Sequence, residues 1–148
     1  MSELYSNDFD NFRDKMDDDC HHEHHKHMEE FPDMMCPMMH PHQNLINIIQ
    51  YCEITCEHMT TMLKQRDDVR KRIRQLKLLR DCADICTLTA KFLGRMSYFS
   101  KVIAKSCALI CKTCGDECAK FPDPESQHCA HVCHHCAREC SAFAMSRI

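Results

Sequence analysis

One spacing, Cys-x-x-x-Cys-x-x-Cys-x-x-x-Cys, occurs twice near the end of this chain, at Cys107, Cys111, Cys114, Cys118 and again at Cys129, Cys133, Cys136, Cys140. At about 100° per residue, offsets of 0, 4, 7 and 11 fall at about 0°, 40°, −20° and 20°, so each set lines one narrow stripe of an α-helix. Between them "FPDPES" interrupts the helix, because Pro122 and Pro124 remove backbone donors and force extended backbone before them. The pattern predicts one helix over about 98–120 and a second from near Ser126 to about 145.

The same period runs upstream. "NLINIIQYCEITCEHMTTML" places apolar or sulfur residues at 45, 48, 49, 52, 56, 59 and 63, which predicts a helix over about 42–65. It resumes through Leu76, Leu79, Cys82, Ile85, Cys86, Thr89 and Leu93, predicting a helix over about 68–95 capped by Asp67 or Asp68. Gly94 and Ser97 mark the break that follows. Two glycines and no tryptophan in 148 residues argue against a strand-rich fold, which needs frequent turn punctuation. The expected fold is all-α: an antiparallel up-down four-helix bundle over 42–148 with a cysteine-lined core.

Residues 1–41 read differently. "CHHEHHKHMEEFPDMMCPMMHPH" shows no helical or strand period, holds three prolines and lies in the acidic part of the chain, so a largely disordered His/Met-rich tail is expected. Tyr5, Phe9, Phe12 and Met16 have the spacing of a short amphipathic helix, and a weakly structured terminus is the plainer reading. Net charge is −3, with residues 1–40 acidic and the remainder basic. The basic run Arg70, Lys71, Arg72, Arg74, Lys77 and Arg80 reads as a solvated helix face, and no aromatic residues accompany it for stacking on nucleic acid.

No basic segment followed by an apolar run opens the chain, and no stretch approaches the length of a membrane span, so a cytoplasmic protein without nucleic-acid or membrane partners is expected. In a reducing compartment, 14 cysteines point to metal before disulfides. Twelve of them, adding Cys52 with Cys56 and Cys82 with Cys86, should face inward as a column of roughly 16 Å.

Neighbouring thiols one turn apart are too distant for a bridge, with Cβ atoms about 5–6 Å apart where a disulfide needs about 3.5–4.5 Å. A single structural zinc needs only four ligands. Soft thiolates select soft ions, above all Cu(I), and many ions fit such a column. Three other readings stay open: a zinc or cadmium thiolate buffer, an iron–sulfur electron carrier lacking the usual loop-borne spacing, and cysteine used purely as a small core hydrophobe. Protonated thiols are nearly apolar, so the bundle should fold before it takes up metal. No nucleophile, base and orienting acid can be assembled, and no phosphate-binding glycine loop occurs, so no enzyme is expected.

With "LLRDCADICTLTAKFLGRMS" followed by two four-cysteine helices and "HCAHVCHHCAREC", the chain resembles the bacterial copper storage proteins over about residues 42–146. The resemblance implies multiple Cu(I) ions stored on cysteines, a homotetramer, and the twelve cysteines from Cys52 to Cys140 as ligands. A copper donor or acceptor protein is a further expected partner. Thr89, Leu93, Leu45 and Ile49 stand where further cysteines would extend the column, so capacity should be lower and one half of the core apolar. Met59, on the stripe seven residues after Cys52, reads either as a ligand at the column's end or as a methionine filling a core gap. His128, beside Cys129, reads either as an aid to copper transfer or as a solvated histidine. The tail's imidazole and thioether donors suit copper capture.

Overall fold

The structure, a computed structural model, describes residues 39–147. Four helices carry it: α1 (Gln43–Lys64), α2 (Ile73–Gly94), α3 (Ser100–Cys118) and α4 (Pro124–Met145), with a 3₁₀ turn (Val69–Arg72) leading into α2. Each helix packs on two neighbours, α1 on α2 and α4, and α3 on α2 and α4, so the four close a ring around one core. No strand occurs among the described residues. The up-down bundle expected from the cysteine stripes is the observed fold. Both expectations for the tail, its disorder and the short helix on Tyr5 to Met16, lie outside the described residues.

Local chemistry explains the boundaries. Asp123 is extended (φ −64°, ψ 143°), as the residue before a proline must be, and its Oδ2 accepts the Ser126 N–H at 3.0 Å. Pro124 occupies the first helical position, where its missing donor costs nothing, so α4 starts two residues earlier than the expected Ser126.

At the end of α2, Met96 takes the left-handed conformation (φ 52°). Its N–H bonds Leu93 O at 3.0 Å while Ser97 N–H bonds Phe92 O at 2.9 Å. This double bond satisfies carbonyls at the helix end, the role Gly94 was expected to fill.

The start of α2 departs from expectation. Asp68 caps no backbone N–H; its carboxylate instead binds Arg66 Nε at 2.8 Å and Arg72 Nε at 3.0 Å. The 3₁₀ winding carries Arg72 inward to 2% exposure, while Arg70, Lys71, Arg74, Lys77 and Arg80 remain at the surface. The solvated-face reading therefore fails at one residue, whose charge is met by carboxylates from two connectors.

The core divides along its length. Ile49, Leu93 and Ala104 are fully buried and make an apolar half, each large side chain contributing about 2 kcal/mol of burial. Thr89, also fully buried, satisfies its hydroxyl on Ile85 O at 2.7 Å. Of the four positions expected to replace cysteines, only Leu45 is partly exposed.

Helices α3 and α4 approach closely at Gly115. A Cβ there would lie 2.5 Å from His134 Cδ2, so the glycine makes the niche in which His134 rests half-buried, with Nε2 2.8 Å from Asp116 Oδ1. His131 and His135 are exposed.

Candidate metal centre

All twelve cysteines from Cys52 to Cys140 have zero exposure and are free thiols. Their sulfurs form a connected network. Cys111 is its first hub, with Sγ atoms of Cys82, Cys86, Cys107 and Cys136 at 3.5, 3.7, 3.7 and 3.8 Å. Cys133 is the second, with Cys56, Cys52, Cys129 and Cys114 at 3.6, 3.9, 3.9 and 4.0 Å. Cys52 and Cys82, 3.9 Å apart, join the hubs, and Cys140 hangs from Cys136 at 4.0 Å. Cys118 stands at the end of this network beside Cys114 and Cys129, and its sulfur accepts a hydrogen bond from Gln75 Nε2 at 3.5 Å.

Three groups of four thiols have all their sulfurs within 4.8 Å of one another: Cys52, Cys82, Cys86, Cys111; Cys52, Cys56, Cys82, Cys133; and Cys86, Cys107, Cys111, Cys136. These groups share members, so ions bound in them would share bridging sulfurs. With metal–sulfur bonds of roughly 2.3 Å, sulfurs around a trigonal ion lie about 4 Å apart, which matches the spacing of this network. Among the described residues no imidazole or carboxylate joins any of these groups, so their donor set is soft. The thiols project from the faces of four helices, unlike the loop-borne ligands of an iron–sulfur cluster.

Protons in this network are shared unevenly. Neighbouring thiols draw four members below the ordinary thiol range, Cys111 foremost for Cys52 and Cys107, and Cys118 foremost for Cys114 and Cys129. Cys56, Cys86, Cys111 and Cys133 are pushed up by the hydrogen bonds they give those partners, Cys114 foremost for Cys56 and Cys133 and Cys107 for the others, and burial adds to the rise. A dry thiol column therefore cannot ionise throughout on its own; cations must replace the protons.

Met59 is 3% exposed and belongs to the core cluster. His128 is exposed on the outer side of α4, 3.3 Å from the Tyr51 hydroxyl. Preceding Cys129 by one residue turns it about 100° off the thiol stripe, so it stands outside the column.

The sequence reading did not place Gln75, Arg72 and Ser126 in the core, where all three are buried. Gln75 is fully buried, its Oε1 accepting from Arg72 Nη1 at 3.1 Å and its Nε2 donating to Ser126 Oγ at 3.0 Å as well as to Cys118. Arg72 Nη1 also donates to Ser126 Oγ at 3.3 Å, and its guanidinium lies 3.9 Å from the Phe121 ring centroid. Arg72 Nη2 is 2.9 Å from Asp123 Oδ1, an ionic contact without hydrogen-bond alignment. Burial alone would raise the Asp123 carboxyl, but the hydrogen bond from Ser126 and the charge of Arg72 outweigh it and hold the group below the usual range. Gln75 stands seven residues before Cys82 on the thiol stripe, the signal by which it could have been found.

The family described as copper storage protein matches residues 38–145. A relative from Bacillus subtilis (strain 168), described as the uncharacterized cysteine-rich protein YhjQ, is 38% identical over 69 residues, 47% of this chain and 64% of its own length. Among solved structures, the Cu(I)-bound copper storage protein BsCsp3 is 34% identical, with 70% of this chain and 97% of the other covered at a TM-score of 0.67. The metal-free copper storage protein 3 from Bacillus subtilis gives 34% identity, 70% and 98% coverage and 0.66. A cytosolic copper storage protein from Streptomyces lividans, with five coppers, gives 26%, 69%, 90% and 0.66. A profile match that takes in all four helices and every thiol of the column places this chain in the copper storage protein family.

Proposed function

We propose that this chain stores multiple Cu(I) ions in the cytoplasm, without catalysis, on the twelve cysteines from Cys52 to Cys140. The observation that carries the reading is the continuous network of fully buried free thiols at 3.5–4.0 Å, a spacing suited to bridging soft ions. Each thiol that becomes a ligand releases one proton, and the helices keep their places, because the site exists before the ion arrives. The similar scores against a metal-free and a Cu(I)-bound relative support that order of events. If each ion takes two or three sulfurs and each sulfur serves two ions, twelve thiols hold on the order of ten ions.

Met59 supplies a soft thioether beside the column, and His128 acts only at the surface. No helix among the described residues is long and apolar enough to cross a membrane, which suits the cytoplasmic placement. Exposed Tyr98, Phe99, Val102, Leu109 and Met145 give the bundle an apolar outer surface of the kind copies of one chain cover, in keeping with a homotetramer. The His/Met-rich tail of residues 1–41 captures copper from a donor protein and passes it inward.

Anaerobic titration of the reduced full-length chain with Cu(I), in competition with a Cu(I) chelator and with zinc or cadmium, tests the reading. Several equivalents per chain should bind, colourless and with unchanged far-ultraviolet circular dichroism. Retention of zinc over Cu(I), or saturation near one equivalent, would refute it. Light scattering checks the tetramer, and loading of a chain lacking residues 1–40 at an unchanged rate would remove the role of the tail.

A further inference from the structure

Among the described residues, one hydrogen bond joins a thiol sulfur to something other than a thiol: Gln75 Nε2 to Cys118 Sγ. The orientation of that amide is dictated by its surroundings. Arg72 presents only donors, so Gln75 must turn its oxygen toward Nη1, which sends both amide N–H groups the other way, one to Ser126 Oγ and one to the sulfur. Arg72 is itself fixed by Asp68 on the connector before α2 and by Asp123 on the connector before α4, with the Phe121 ring against its guanidinium. The donor aimed at Cys118 is therefore preorganised by groups from both connectors, in a place where no water competes.

We infer that Gln75, held by Arg72, is a positioning residue for copper: it donates an N–H bond that tightens the ion position served by Cys118. This rests on the storage function proposed above. A neutral thiol sulfur is a weak acceptor, whereas a copper-bound sulfur carries thiolate charge, so the same contact is stronger in the loaded state. Only that difference between states favours binding. The other eleven thiols have no such donor.

The full-length protein, labelled with ¹⁵N-glutamine and ¹³Cβ-cysteine, supplies the test under anaerobic titration with Cu(I) and back-titration with a chelator. The Gln75 side-chain amide should shift on loading in step with the Cys118 resonance, and should stay put in Cys118→Ala. In Gln75→Leu, the Cys118 resonance should revert at about tenfold lower chelator concentration, the loss of one charge-assisted hydrogen bond, while total capacity is unchanged. Gln75→Glu, which retains a partner for Arg72 but offers no amide donor, should revert in the same way.

A purely structural role would lower the melting temperature of Gln75→Leu while leaving chelator release from Cys118 unaltered, and that result overturns the inference. Should Gln75→Leu fail to fold, an unshifted Gln75 amide in the loaded wild-type protein overturns it equally. Absence of Cu(I) binding anywhere refutes the storage function; full loading with a silent Gln75 refutes this inference alone.

Discussion

Replacing Arg72 by methionine removes the charge that ties the two connectors together while keeping most of the buried volume. The guanidinium side chain is 3% exposed, so its loss is felt without solvent screening. Asp123, 10% exposed, keeps only the Ser126 N–H, and breaking a buried pair by removing one partner costs about 3–5 kcal/mol. Gln75 Oε1 loses the one donor it has among the described residues, a further cost of about 1–3 kcal/mol, and the Phe121 contact accounts for about 1 kcal/mol. Against these stands the relief of not desolvating an arginine, leaving a net loss of about 4 kcal/mol.

Urea denaturation of the reduced, metal-free protein, followed by helical circular dichroism, measures this directly. With a slope of about 2 kcal/mol per molar, the midpoint should fall by about 2 M. The exposed Arg70→Met, two residues earlier, should stay within about 0.5 kcal/mol of the native protein. A midpoint shift for Arg72→Met no larger than that of Arg70→Met would refute the claim that this cluster holds the connectors.

Capacity should follow the sulfur network: Cys111→Ala and Cys133→Ala, each removing a hub with four sulfur neighbours, should lose two or more Cu(I) ions by chelator titration, and Cys140→Ala, with one neighbour, about one or none. Thr89→Cys should raise capacity by about one ion, because Thr89 is fully buried on the Cys82 stripe and its hydroxyl only doubles a bond to a carbonyl already inside the helix. The Asp68 carboxyl is lowered to about 2 by Arg66 and then Arg72, so its stabilising contribution is complete above about pH 4 and disappears as pH falls through about 2. Glu117, held down by Lys120 and Arg74 against its burial, acts in the same direction. The urea midpoint should therefore drop over that acid window, and a flat profile would contradict the ion pairs described.

The helices and the sulfur column were legible because one period governs both. Cysteine at 0, 4, 7 and 11 has no other way to share a face, and the resulting layer of Cys52, Cys82, Cys111 and Cys136 follows from folding each connector back as a mirror. Mirror symmetry ignores stagger between helices, and the Cys52–Cys133 contact crosses from that level to the next. Arg72 was misjudged for a different reason. Its burial depends on Asp123 and Ser126, more than fifty positions away, and a local basic run carries no trace of them. Gln75 was hidden by its polarity, since a stripe read for apolar and sulfur residues skips an amide. The left-handed Met96 was likewise masked by the nearby Gly94, the residue type expected there.

The lone amide-to-sulfur contact at Cys118 also bears on what the outside of the molecule can report about its inside. Cargo exchanged for protons among sulfurs of zero exposure leaves the charged outer helix faces as they were, so an empty bundle and a full one present nearly the same exterior. Through Cys118, Gln75 and Arg72 the interior touches both connectors, and those two short segments are where a fuel gauge for this reservoir would have to be read.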